Sequence, residues 1–80
     1  MELSDIKVRI ETGIPGATAI LSGDGCNCEA TVVSDSFAGQ GLLAQQRAVM
    51  ATVREEITSG ELHALAIKTY TEAEWQQQGS

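Results

Sequence analysis

Two β-tolerant runs, 28–34 and 62–68, are separated by a long stretch with a helical pattern inside it, and that spacing limits how the chain can fold. The stretch, 35–61, has 27 residues. Within it Leu42, Leu43, Gln46, Val49, Met50, Val53 and Ile57 recur at the steps of one helix face, with Gln46 the one polar member. A connection this long with a helix inside is a crossover, and it lays the returning strand parallel to its sheet partner.

Run 28–34 carries Thr31, Val32 and Val33. It follows a shorter β-tolerant run, 17–22, across the turn signal Gly23-Asp24-Gly25, so the two read as a hairpin. Ahead of them Leu3, Ile6 and Ile10 mark a short amphipathic helix, with Ser4 as its expected N-cap and Gly13 and Pro15 as its stop. Segment 62–68 is mostly apolar and suits a strand buried on both faces. Thr71-Glu72-Ala73-Glu74 fits a capping box opening a last helix that carries Trp75. The expected fold is α+β in the order α-β-β-α-β-α, a three-stranded mixed sheet with the helices packed on one face. One domain over 1–76 and a disordered polar tail over 77–80 account for the chain.

At 80 residues the core is thin, and with only Phe37, Tyr70 and Trp75 aromatic it must be aliphatic. Eleven acids against five bases give a formal charge of -6, which repels phosphate backbones and argues against nucleic acid as a partner. No apolar run is long enough to span a membrane, and the acidic start lacks the basic, apolar pattern of a signal peptide. Two cysteines one residue apart make no disulfide framework, and the expected compartment is the cytoplasm.

The topology bears on chemistry. Parallel neighbours start side by side, about 4.8 Å apart. The second strand begins at 26–28 and the third at 62–63, so Cys26, Cys28 and His63 share one end of the sheet. Thiolate and imidazole are soft ligands suited to zinc, copper(I) and iron–sulfur iron. A closed zinc site or a complete cluster wants four ligands, and this chain offers at most three soft ones. That favours a site completed by another molecule. The plainer alternative keeps His63 as a packing residue and the cysteines as small hydrophobes, Cys28 inward and Cys26 in the loop. Their spacing, about 6.6 Å in extended chain, lies at the edge of disulfide reach.

Other constellations dissolve. No Gly-x-Ser-x-Gly and no nucleophile–base pair is present, so the chain is not expected to be an enzyme. Glu55-Glu56 reads as a solvated pair. Gly13-Ile14-Pro15-Gly16 matches the Gly-x-x-Gly of nucleic-acid clamps but joins a helix to a strand, with no basic stripe beside it. Gly39-Gln40-Gly41 reads as a turn.

Taken together, Val32-Val33-Ser34-Asp35-x-Phe37-x-Gly39, a helix with Leu43 and Arg47, and Leu62-His63-Ala64-Leu65-Ala66-Ile67-Lys68-Thr69-Tyr70-Thr71-x-x-Glu74-Trp75 resemble the BolA family, in its short acidic bacterial form. The resemblance implies a KH-related α-β-β-α-β-α fold. It also implies pairing with a monothiol glutaredoxin and a shared [2Fe–2S] cluster. The glutaredoxin and its bound glutathione would supply thiolates, and this chain would supply His63 and a loop residue, Cys26 first and Cys28 second. The use implied is iron–sulfur trafficking or iron sensing, and a homodimer is a further expected assembly. Some relatives are DNA-binding regulators, which gives the alternative reading of a KH-like nucleic-acid-binding protein. Many carry Arg-His-Arg where this chain has Gln45-Gln46-Arg47, and that loss of charge weighs against the alternative.

Overall fold

The computed structural model describes residues 2–25 and 27–78. Helix α1, Leu3–Gly13, leads into strand β1, Thr18–Gly23, which returns as β2, Asn27–Val33. A 3-10 turn, Asp35–Phe37, precedes helices α2, Leu42–Thr52, and α3, Arg54–Ser59. Strand β3, Ala64–Tyr70, and helix α4, Glu72–Gln78, complete the fold. The sheet order is β1-β2-β3, with β1 antiparallel and β3 parallel to the central β2. This is the expected α+β architecture with a mixed three-stranded sheet. The crossover length dictated it.

The hairpin and crossover set the burial pattern. On β2, Cys28, Ala30 and Val32 alternate onto the helix-covered face. Ala19 of β1 joins them, as do Ile6 and Ile10 of α1, Val49 of α2, Val53 at the α2–α3 junction, Phe37 and Leu62. The opposite face of the sheet stays open, with Ile20 at 46% exposure and Ala64, Ala66 and Lys68 exposed. β3 is therefore not buried on both faces: its exposed and half-buried residues alternate, because helices cover one side only.

The middle helix is two helices. At Val53 the backbone turns to φ -123° and ψ 19°, and the Thr52 hydroxyl donates to the Val49 carbonyl, 2.7 Å away. A continuous helical period did not reveal the break. The break swings Val53 and Glu56 toward the core while Leu42 and Leu43, at the far end of the same sequence stripe, stay 64% and 63% exposed. Glu56 is thus no solvated partner of Glu55. It is 6% exposed and faces Arg9 of α1, with Arg9 Nε 3.3 Å from Glu56 Oε1. That oxygen accepts no hydrogen bond among the described residues, so the pair is held by charge rather than by alignment.

Both sheet edges are blunted by side chains. On β1, Ala19 N–H donates to Glu11 Oε2 at 2.9 Å, and Lys7 Nζ donates to the Ala19 carbonyl at 2.7 Å. On β3, Gln46 Nε2 donates to the Ile67 carbonyl at 3.3 Å, and Thr69 Oγ1 donates to Gln45 Oε1. Gln46, the odd polar residue of the helical stripe, thus satisfies an edge carbonyl that would otherwise invite a foreign strand.

The ends of helices refine the expectations. α1 starts two residues earlier than a Ser4 cap implies: Glu2 is the N-cap, and its N–H donates to Asp5 Oδ2 at 3.1 Å. The capping box at α4 forms as read, with Thr71 N–H donating to Glu74 Oε1 at 2.8 Å and Glu74 N–H to Thr71 Oγ1 at 3.3 Å. α4 runs to Gln78, so Gln77 and Gln78 are helical where a tail was expected. Gly79 and Ser80, the rest of that expected tail, lie outside the described residues. Trp75 packs on Tyr70, ring centroids 5.5 Å apart. No helix among the described residues is long and apolar enough to cross a membrane.

Candidate functional site at the start of the parallel strands

The parallel register pairs Asn27 with Ala64 and Cys28 with Leu65. His63 immediately precedes the first pair, so it stands at the end of the sheet where β2 begins. The crossover implied this place for His63. His63 is exposed and makes no hydrogen bond or ion pair among the described residues, which leaves its ring nitrogens open to a ligand. The satisfied packing role that a lone histidine often fills is absent.

Cys28 is placed differently. It is 8% exposed and belongs to the apolar cluster on the helix side of the sheet. Burial pushes its thiol up from the ordinary value, and the Asp24 carboxylate adds to the rise. A buried, protonated thiol is a poor metal ligand. Cys26, the first-choice loop ligand, lies outside the described residues.

The loop between the hairpin strands is closed by Asp24. Its Oδ1 accepts the Asn27 N–H at 2.7 Å, and its own N–H donates to the Asn27 carbonyl at 3.0 Å. Gly23 sits at φ +102° beneath this closure. A Cβ there would lie 2.6 Å from the Asn27 carbonyl oxygen and 2.9 Å from Cys28 Cα, so only glycine lets the two strands approach this closely. At this end of the sheet Ser22, Gly23, Asn27, Cys28, Glu29, Ala64 and Ala66 line a shallow hollow. Ala64 and Ala66 went unnoticed as a pair in the sequence, though their alternate spacing in His-Ala-Leu-Ala was the available signal.

No group of three or more His, Cys, Asp and Glu side chains able to hold a metal occurs among the described residues. A groove of about 590 Å³ between α1 and the α2 terminus is lined by Asp5, Val8, Arg9, Thr12, Gly13, Thr52 and Glu61, and contains no thiol or imidazole. Among the described residues the one imidazole, His63, and the one thiol, Cys28, both lie near the start of the parallel pair.

Known proteins share this sequence pattern and fold. A family profile described as "BolA-like protein" matches residues 17–74. The chain is similar to "BolA-like protein 2" of Saccharomyces cerevisiae, with 41% identity over 75 residues, covering 88% of this chain and 61% of the yeast protein. It is 51% identical over 47 residues to "DNA-binding transcriptional regulator BolA" of Vibrio cholerae, covering 59% of this chain and 43% of that one. Among solved structures, a bolA protein homologue from Coxiella burnetii superposes with a TM-score of 0.82 at 36% identity, covering 95% of this chain and 97% of that one.

Proposed function

The chain belongs to the BolA-like family, and from that premise we propose that it is a non-enzymatic adaptor which pairs with a monothiol glutaredoxin and co-ligates a [2Fe–2S] cluster through His63 and Cys26. One observation carries the reading. Asn27, the residue after Cys26, pairs in register with Ala64, the residue after His63. The open His63 ring and the lack of a complete ligand group among the described residues suit a half-site that needs a second protein.

The roles of the residues follow from their surroundings. His63 would supply a nitrogen, and its exposure allows a partner to approach. Cys26 would supply the sulfur, because the core holds Cys28 away from solvent with its thiol protonated. Asp24 and Gly23 hold Asn27, the residue that follows Cys26 in the sequence. The cluster, when bound, supplies iron and sulfide for transfer. Glutathione would come with the partner.

The test mixes the apo chain with cluster-loaded monothiol glutaredoxin and follows visible absorption and circular dichroism. The wild type should change the spectrum, and His63→Ala and Cys26→Ala should each change it less or not at all. Identical spectra for wild type and His63→Ala would remove the ligand assignment.

The name of the Vibrio cholerae relative favours a second reading, a nucleic-acid-binding regulator. Against it stand the charge of -6 and the pairing of Lys7, Arg9 and Lys68 with carboxylates. It predicts salt-dependent binding to duplex DNA, and no binding at tens of micromolar in low salt would exclude it.

A further inference from the structure

The chain has five basic side chains. Three face carboxylates: Lys7 to Glu11 at 2.7 Å, Arg9 to Glu56 at 3.3 Å and Lys68 to Glu29 at 3.1 Å. The other two, Arg47 and Arg54, are exposed and have no ion pair or hydrogen bond among the described residues. They stand on successive helices, α2 and α3, and both line one groove of about 350 Å³. Met50, Ala51, Ile57 and Thr58 complete its walls. Met50 is 37% exposed and Ile57 is half-buried, so the groove offers apolar surface between two free guanidinium groups.

We propose that this groove docks an acidic amphipathic helix of a partner protein, with carboxylates on Arg47 and Arg54 and apolar side chains on Met50 and Ile57. Charge complementarity selects the occupant. A molecule of charge -6 repels acidic partners over most of its surface, and here two cations stand without an ion pair among the described residues and with no carboxylate in the groove's own lining. The guanidinium fork matches carboxylates, and unbranched methionine adapts to apolar residues on a facing helix. A phosphate backbone fits less well, because its binding rests on neutralising many phosphates and the apolar walls of this groove add nothing to that. The surface uses neither His63 nor a cysteine, so it stands or falls apart from the cluster reading.

The probe is a synthetic helical peptide with two glutamates at the spacing of Arg47 and Arg54 and leucines between them; its twin carries glutamines instead. Amide shifts of the 15N-labelled full chain are followed on titration with each. The glutamate peptide should shift amides of α2 and α3 around Met50 and Arg54, with affinity falling as salt rises. Arg47→Gln and Arg54→Gln should each weaken binding about threefold, and the pair about tenfold, as for partly exposed ion pairs. Lys68→Gln removes one charge elsewhere and should leave binding unchanged. The proposal is overturned by any of four results: no shifts at about 1 mM peptide, shifts confined to other elements, equal binding of the glutamine peptide, or tighter binding of a DNA duplex in the same groove.

Discussion

Replacing Gly23 by alanine should cost far more than replacing Gly39, although both glycines have positive φ. Gly39 sits at φ +80° with nothing within 4 Å of the added methyl, so alanine there meets only the backbone penalty. That penalty is about 1–2 kcal/mol for a non-glycine residue in the left-handed region. At Gly23, φ +102°, the methyl would also press on the Asn27 carbonyl oxygen at 2.6 Å and Cys28 Cα at 2.9 Å. Both atoms belong to backbone, which cannot rotate aside, and forcing such overpacking adds about 1–3 kcal/mol. Gly39→Ala should therefore lose about 1–2 kcal/mol and Gly23→Ala about 2–5 kcal/mol. For a domain of this size each kcal/mol lowers the Tm by roughly 4–8 °C. Urea unfolding at 25 °C, with thermal melts as a second readout, measures both. The strain falls where β1 meets the residues next to Cys26, so Gly23→Ala should also weaken the spectral change with cluster-loaded glutaredoxin. Equal losses for the two variants would refute the argument that Gly23 is required for close strand approach rather than for φ alone.

Three further outcomes follow from the same geometry. In a Cys26→Ala background the remaining Cys28 thiol should react with iodoacetamide at least about 100-fold more slowly in native buffer than in urea, since burial and Asp24 keep it protonated; equal rates would mean the thiol is open. Glu11 is held below the ordinary glutamate value, first by the hydrogen bond from Lys7 and then by the Ala19 N–H. A lowered folded value contributes stability above the unfolded value of about 4.5 and loses it as pH falls through the folded one, so urea midpoints should drop in that acidic window and Glu11→Gln should flatten the drop. Arg9→Met should destabilise by about 1–2 kcal/mol, because it strands the buried Glu56 carboxylate, discounted for the half-exposure of Arg9. Adding Glu56→Gln should restore part of that loss, and purely additive effects in the double-mutant cycle would show that the two side chains are not coupled.

Much of the fold was legible because it followed from chain length between strands. The 35–61 crossover forces a parallel return, and the Thr71–Glu74 capping box is a local pattern that needs no tertiary help. Features that depend on a distant partner were not legible. Glu56 looks like any helix-surface glutamate until Arg9 of α1 is set against it. The break at Val53 leaves the helical period intact, and its signature is a single hydroxyl bonded to Val49. The exposure of Leu42 and Leu43 reflects where the core ends, which periodicity does not encode. At the candidate site, the position of His63 beside the start of β2 was readable from topology. The inward turn of Cys28 was one of two readings, and alternation along β2 decides it.

His63 is the chain's single histidine, which permits an unambiguous test of the central claim. The chain is labelled with 15N-histidine, combined with unlabelled, cluster-loaded monothiol glutaredoxin, and reduced for pulsed electron paramagnetic resonance. The account predicts a 15N hyperfine coupling of directly bound nitrogen, lost in His63→Ala. A stable cluster-bearing complex without that coupling would contradict it.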